Sequence, residues 1–125
     1  MNAKFDLEAR LLEWASEIVR FTEKIVGTRA GAHVAGQLLR SGTAPLPNHG
    51  EAQAAESRAD FIHKMSICLK ELREARRWLL LAQRVPLVDS PAAAESLVRE
   101  SEELIRIFFA GIRTAKKRSF PGGSA

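Results

Sequence analysis

The spacing of hydrophobic residues predicts a helical chain. Between about residues 5 and 26, apolar residues recur at alternating spacings of four and three, which is the period of one helix face. The residues of this stripe are Leu7, Leu11, Trp14, Ile18, Phe21 and Ile25, widened by Leu12, Ala15, Val19 and Val26. The most regular pattern runs from about residue 57 to residue 84. We therefore expect long amphipathic helices in both regions.

A further helix is predicted after residue 89. Asp89 or Ser90 supplies an N-cap, and Pro91 suits the first helical position because its missing N–H has no partner there. Its predicted core face consists of Leu97, Leu104, Phe108 and Ile112 with Val98, Ile105 and Phe109. The pattern fades at about Arg118.

The second segment, from about residue 29 to residue 55, is rich in small residues and contains Gly31, Gly36 and Gly42. Small residues allow helices to approach closely, so we expect a crowded inner helix. Pro45 and Pro47 should kink or break it, because each lacks an N–H and its ring clashes with the preceding turn.

These segments predict an all-α protein, an antiparallel up-and-down four-helix bundle whose second helix is kinked or broken near Pro45 and Pro47. The predicted organisation is a single domain over residues 1–118, followed by a disordered C-terminal tail at 119–125.

Composition is that of a folded chain, with 46% hydrophobic and 27% charged residues. The single cysteine, Cys68, lies in an apolar run and is expected to be a small buried hydrophobe in a reducing compartment. The N-terminus carries acids among its first apolar residues, unlike a signal peptide. No apolar run is long enough to cross a bilayer. The expected location is cytoplasmic, without membrane contact.

Signals of catalysis are weak. Di-iron bundles need Glu-x-x-His motifs, and the chain has none. It also lacks a Gly-x-Ser-x-Gly elbow, a P-loop and a dinucleotide fingerprint. His49 beside Glu51 resembles an acid–base pair, but a capping or surface histidine near a helix distortion is the preferred interpretation. We expect no enzymatic activity, no metal, no cofactor and no small-molecule substrate.

Charge is distributed unevenly around a net value of +4. Residues 57–84 hold seven Lys or Arg against three acids, residues 113–118 hold four and no acid, and residues 5–27 are net acidic. The pattern fits a solvated face, a subunit interface or a phosphate-binding surface. Because most aromatic residues fall on core stripes, base stacking is not expected. The candidate nucleic-acid contacts are Lys70, Arg73, Arg76, Arg77, Arg106, Arg113, Lys116, Lys117 and Arg118.

Glu71 and Glu74 lie on the partly apolar stripe that contains Trp78. Two interpretations remain open. Either they meet a cation from a neighbouring helix or subunit, since burying an unpaired carboxylate is costly, or they lie at the solvent edge and pair locally.

Two stretches carry a family signal. GQLLRSGTAPLPNHGEA contains Gln37, Leu38, Arg40, Ser41, Gly42, Thr43, Asn48, Glu51 and Ala52, and SRADFIHKMSICLKELREARRWLLLA contains Asp60, Phe61, Ile62, His63, Lys64, Ile67, Lys70, Glu71, Glu74, Trp78 and Leu79. In these residues the chain resembles the bacterial four-helix-bundle proteins encoded in intervening sequences of large-subunit ribosomal RNA genes. It departs from that pattern at Ala44-Pro45, where the family often has Ser-Ile, and at Pro47.

The resemblance implies a ring-shaped homo-oligomer, with a pentamer favoured, and no enzymatic activity. The same fold is similar to the accessory protein of diversity-generating retroelements, a basic pentamer that binds nucleic acid and reverse transcriptase. The family-motif residues expected to be structural are Arg40, Thr43, Asn48, Glu51, Asp60, Phe61, Glu71, Glu74 and Trp78.

The expected function is therefore that of a non-enzymatic, ring-forming adaptor whose basic surface binds RNA or DNA. The alternative is a protein-interaction ring with no nucleic-acid partner, in which Arg76 and Arg77 face acids of a neighbouring subunit. Within the broken segment, we expect Thr43 to bond back to a carbonyl, and Asn48 and Glu51 to tie the segment to the third predicted helix.

Overall fold

The computed structural model describes residues 6–118, which form five helical segments and no strand within that range. The segments are α1 (Leu7–Thr22), α2 (Arg29–Thr43), α3 (Pro45–Gln53), α4 (Arg58–Arg84) and α5 (Pro91–Lys117). The predicted tail at 119–125 lies outside the described residues.

Short polar side chains begin three of the helices. Asp6, Thr28 and Ser57 each accept a hydrogen bond of 3.0 Å from the backbone N–H three residues later. Such caps satisfy N–H groups that have no partner inside the helix. At α5, Ser90 is the N-cap and Pro91 the first helical residue, as predicted, although no side chain caps this end. The turn before α5 contains a cis Val85–Pro86 peptide bond.

The predicted break in the second helix is confirmed at Ala44–Pro45, where α2 ends and α3 begins. Thr43 Oγ1 donates to the Leu39 carbonyl at 2.7 Å, as expected. Asn48 Nδ2 donates to the Ala44 carbonyl at 2.9 Å, so it satisfies the backbone beside the break. The expectation that Asn48 reaches the next long helix was wrong, because its amide turns back along α3.

Glu51 does join α3 to the next helix, since Lys64 Nζ of α4 lies 2.6 Å from Glu51 Oε1. This hydrogen bond is the main reason that the pKa of Lys64 is raised above its ordinary value. One of the two expected ties between the broken segment and α4 is therefore present.

Four antiparallel rods result, with α2 and α3 together forming the second rod. Each rod contacts two neighbours: α4 packs on α5 and on the α2–α3 rod, while α1 closes the bundle between the α2–α3 rod and α5. The core is lined by large residues with almost no exposure, including Leu11, Ile18, Leu38, Leu72, Leu79, Leu104 and Phe108. The predicted all-α four-helix bundle is thus confirmed.

Polar groups fix the α1–α5 contact. Trp14 Nε1 donates to the buried Ser101 Oγ at 3.1 Å, and Arg10 Nη2 lies 2.8 Å from Glu100 Oε1. The Glu100 hydrogen bond is the largest cause of the raised pKa of Arg10.

The expected close approach of the glycine-rich helix is present at Gly42. A Cβ atom placed there would lie only 2.4 Å from Cγ2 of Ile18 on α1. Gly36, on the same helix, has no atom within 4 Å of that position. Only the first of these two glycines is required by packing.

Some predicted core positions face solvent instead. Leu12 and Val19 on α1 and Phe109 on α5 are exposed, so the buried stripes are narrower than the sequence pattern suggested. Cys68 is fully buried, as expected. Among residues 6–118, no helix is both long and apolar enough to cross a membrane.

Candidate nucleic-acid interface

The seam between α4 and α5 forms an open groove of about 460 Å³. Its lining side chains are Arg73, Arg76, Arg77, Glu102, Ile105 and Arg106. The arginines come together because positions 73, 76 and 77 share the α5-facing side of α4, while α5 runs antiparallel beside it. Four predicted contact residues are therefore adjacent, with one carboxylate among them.

Two of these arginines have partners inside the chain. Arg76 Nε lies 2.9 Å from Glu102 Oε2, across the seam. Arg106 pairs with Glu103 of its own helix. Arg73 and Arg77 are exposed and form no ion pair within the part of the chain that the structure describes. The groove thus presents uncompensated positive charge to solvent.

The remaining predicted contacts lie along the same face or near its end. Lys70 is exposed one turn before Arg73. Arg113 and Lys117 line a second shallow groove of about 200 Å³ on α5, and Lys116 is exposed beside them. Cations in the last turn of α5 also oppose the negative end of its helix dipole.

Arg118 is set apart from the seam. Its carbonyl accepts a hydrogen bond from the Arg58 guanidinium, and its side chain lines a different cavity at the end of the bundle. The nine candidate residues therefore divide into one long basic face, which we call the α4–α5 face, and Arg118 at the end of the bundle.

Phe109 is the surface residue that the sequence pattern misplaced. It was expected on the core face of the last helix, but it is 46% exposed. It follows Arg106 by three residues and precedes Arg113 by four, so all three lie on neighbouring positions of the α5 surface.

A second charged cluster joins α2 to α4. Arg40 Nη1 lies 3.2 Å from Glu71 Oε1, and Arg40 also pairs with Glu74. Trp78 Nε1 donates to Glu74 Oε2 at 3.1 Å, and this hydrogen bond, followed by the one from Arg40, lowers the pKa of Glu74. The Trp78 ring meets His33 edge-on, with ring centroids 5.8 Å apart.

The open question about the two glutamates is thus answered largely by a neighbouring helix. Arg40 of α2 supplies the cation for both, while Trp78 supplies an additional local donor to Glu74. The remaining motif residues begin α4: the Asp60 N–H binds the Ser57 cap, and Phe61 packs against the core.

His49 is buried, so the interpretation as a surface histidine was wrong. Its Nδ1 lies 2.7 Å from Glu8 Oε1 of α1, and its Nε2 lies 3.3 Å from Gln53 Nε2. The imagined partner, Glu51, bonds to Lys64 instead. Both ring nitrogens therefore have side-chain partners, and His49 links α1 to α3.

Among residues 6–118, the thiol and the potential metal ligands are not gathered into a site. Cys68 Sγ lies 3.5 Å from the Pro45 carbonyl, and burial raises the pKa of its thiol to about 12. No group of three or more potential metal ligands occurs among residues 6–118.

The fold and this surface define an all-α four-helix-bundle protein with a basic face. The family model for the 23S rRNA-intervening sequence protein matches residues 5–110, and the chain belongs to that family. A solved structure from Bacteroides thetaiotaomicron, a protein of unknown function from the S23 ribosomal protein family, is similar: it is 34% identical with a TM-score of 0.79. The match covers 86% of this chain and 98% of that one. No curated protein matches the chain.

Proposed function

We propose that this protein is a non-enzymatic, homo-oligomeric adaptor that binds the phosphate backbone of RNA or DNA along its α4–α5 face. The observation that carries the proposal is the groove in which Arg73, Arg76, Arg77 and Arg106 converge. Arginine suits this role because its planar guanidinium binds phosphate oxygens bidentately and stays charged.

Backbone binding of this kind is electrostatic and carries little sequence information. Glu102 offsets part of the charge through Arg76, but Arg73, Arg77 and Lys70 remain exposed beside it. Arg113 and Lys117 extend the positive surface along α5, so a nucleic-acid strand would meet cations over several turns.

The opposite side of the bundle supports oligomerisation. Leu12, Val19 and Leu39 are exposed there. They flank the α1–α2 seam, because Gly42, three residues after Leu39, packs on Ile18 of α1. Exposed apolar surface of this kind is typical of protein interfaces.

A second apolar area lies at the end of α4, where Leu81 and the C-cap residue Val85 are exposed beyond Trp78. Two different apolar areas suit a head-to-tail contact between copies, and such contacts close into rings when the rotation allows. A five-membered ring is the assembly that we propose.

Binding is tested with the double variant Arg73→Gln/Arg77→Gln, which removes two charges that have no ion-pair partner among the described residues. The matched control is Lys24→Gln/Arg29→Gln, which removes two exposed cations that likewise form no ion pair among residues 6–118 and lie outside the α4–α5 face. Affinity for a labelled, structured RNA is measured by fluorescence anisotropy between about 50 and 200 mM salt.

The wild-type affinity should fall steeply with salt. Losing two phosphate contacts should reduce the slope of log K against log[salt] by about 1.4 to 1.8, whereas the control should keep the wild-type slope. Absence of binding at low salt, or equal weakening by the control, would refute the proposal.

The rival function, a protein-interaction ring without nucleic acid, is separated by measuring mass. Arg76 already pairs with Glu102 inside the chain, so Arg73 and Arg77 are the cations left for a neighbouring subunit. If the Arg73→Gln/Arg77→Gln variant dissociates in light scattering, these charges join subunits. If its mass is unchanged and RNA binding is lost, they bind phosphate.

A further inference from the structure

We propose that Phe109 stacks on an unpaired nucleobase, so that the α4–α5 face takes single-stranded or looped nucleic acid in preference to a fully paired duplex. The inference rests on the proposed function and adds the class of nucleic acid to it. It also reverses the expectation, based on hydrophobic spacing, that base stacking plays no part.

The first observation is the exposure of the Phe109 ring. At 46% exposure, Phe109 is the only aromatic residue among the exposed large hydrophobic side chains of residues 6–118, and the only such side chain on α5. The aromatic residue one position earlier, Phe108, is fully buried. Phe108 therefore packs in the core, whereas the ring of Phe109 is accessible to a ligand.

The second observation is the charge around the ring. Arg106 lies one turn before Phe109 and Arg113 one turn after it, on adjoining positions of the same helix surface. At a rise of 1.5 Å per residue, the two arginines are separated by about 10 Å along α5, with the ring between them. A strand that follows the cations therefore passes directly over the ring.

The third observation is the part of α4 that lies beside Phe109. Gly111, two residues after Phe109, packs against Met65 of α4, whose methyl carbon lies 3.6 Å from the Cβ position of the glycine. Because α4 and α5 are antiparallel, Phe109 lies level with the turn that follows Met65. Lys70, five residues after Met65, is the next exposed cation along α4.

An exposed ring among cations matches the chemistry of single-strand binding. Cations hold successive phosphates while an aromatic side chain stacks on a base, and every base offers a π-face. In a duplex the faces of the bases are already stacked on one another, so a ring on a convex helix surface reaches only the backbone. The ring therefore adds affinity for unpaired bases alone.

A protein partner at the same place is less well supported. The other exposed large apolar side chains of residues 6–118 lie on α1, α2 and α4 or in the turns after α1 and α4. On α5, Phe109 is the only exposed one, and its exposed neighbours Arg106 and Arg113 are charged. Protein interfaces bring apolar residues together at their centre and deplete charge there. The surroundings of Phe109 have the opposite composition.

The test compares Phe109→Leu with wild type, since leucine keeps an apolar side chain and a strong helix propensity but has no π-face. The probes are a labelled oligouridine and a fully paired RNA duplex of the same length, both measured at low salt. Val26→Ala, at an exposed apolar position in the α1–α2 turn and outside both proposed interfaces, is the matched control. Circular dichroism verifies that each variant is folded.

We expect Phe109→Leu to bind oligouridine about fivefold or more weakly than wild type, with its duplex affinity unchanged and with both affinities of the Val26→Ala control unchanged. If Phe109→Leu leaves both affinities unchanged while Arg73→Gln/Arg77→Gln lowers both, stacking is refuted and backbone binding stands. If wild type binds neither probe, both proposals fail. If Phe109→Leu changes the oligomeric mass without a selective loss for oligouridine, the ring packs on another copy and the inference is overturned.

Discussion

Replacing Gly42 by alanine should destabilise the protein, although alanine is normally the better helix former. Gly42 lies near the end of α2, against α1. An added Cβ would lie 2.4 Å from Ile18 Cγ2 and 3.3 Å from its Cγ1, whereas ordinary contacts begin at 3.4 Å. Because Ile18 is fully buried and β-branched, it has no free space to rotate into. The two helices must therefore separate by about 1 Å.

The magnitude follows from two opposing terms. Alanine in place of glycine in a helix gains about 0.5 to 1 kcal/mol. Overpacking a filled core costs about 1 to 3 kcal/mol. The two terms leave a net loss of about 0 to 2.5 kcal/mol in the free energy of unfolding. Because the 2.4 Å contact is with a buried side chain that cannot move away, we expect about 1 to 2 kcal/mol of this range for Gly42→Ala.

Gly36→Ala is the matched control, because Gly36 lies in the interior of α2 and has open space around its Cβ position. It should gain the full propensity term, about 0.5 to 1 kcal/mol. Urea denaturation at one fixed protein concentration measures both variants and avoids a contribution from subunit association. The reasoning is refuted if Gly42→Ala is as stable as Gly36→Ala.

A double variant tests the cause. Ile18→Ala removes Cγ1 and Cγ2 and leaves only Cβ, 3.2 Å from the added carbon. In that background, Gly42→Ala should cost less than in wild type, with a coupling energy of about 1 kcal/mol or more. Strict additivity of the two substitutions would show that the loss does not arise from this contact.

Three further predictions concern buried or paired side chains. Cys68 is fully buried with a thiol pKa of about 12, so iodoacetamide at mildly alkaline pH should label it only after denaturation; rapid labelling of the folded protein would contradict this. The pKa of Glu74 is lowered from its ordinary value of 4.5, so its ionised form stabilises the fold above that pH, and this stabilisation is lost as pH falls through the lower folded value. The stability difference between wild type and Glu74→Gln, followed by thermal melts from neutral to acidic pH, should shrink below pH 4.5, and a constant difference would exclude the linkage. Trp14→Phe should lose about 1 to 3 kcal/mol in urea denaturation because it removes the indole hydrogen bond to Ser101 and leaves a void in the core. Trp78→Phe should lose less, because Trp78 lies at the edge of the core and is only partly buried.

The sequence predicted the fold well because the signals for it are local. Apolar spacing identified the long helices, and Ser90-Pro91 marked the start of α5. Pro45 marked the break between α2 and α3, since the loss of an N–H affects the helix wherever it lies in the fold. The α1 helix ends at Thr22, whereas its apolar stripe continues for several more residues. A turn can continue an apolar face without continuing the helix.

The candidate site was predicted less completely, because its geometry depends on neighbours that are distant in sequence. Periodicity shows that a helix has an apolar side but not how wide a stripe its neighbours cover. The spacing therefore predicted Phe109 as a core residue, but the packing of α4 and α5 leaves it exposed. His49 and Glu8 are 41 residues apart, and no local pattern joins them. Arg76 likewise pairs with Glu102, which lies 26 residues later on α5 of the same chain.

The apolar residues that were predicted as core but are exposed lie on the surfaces that we propose as binding sites. Four helices enclose a limited volume, so side chains at the edges of a broad stripe cannot all enter the core. On α1 and α2 the excess consists of Leu12, Val19 and Leu39, which lie together without intervening arginines and favour contact with protein. On α5 the only such residue is Phe109, which lies next to exposed arginines. This combination favours contact with single-stranded nucleic acid. The same stripe width therefore produces two chemically different surfaces on opposite sides of the bundle. Under the proposed function, the first would contribute to subunit contacts while the second would stay open to nucleic acid.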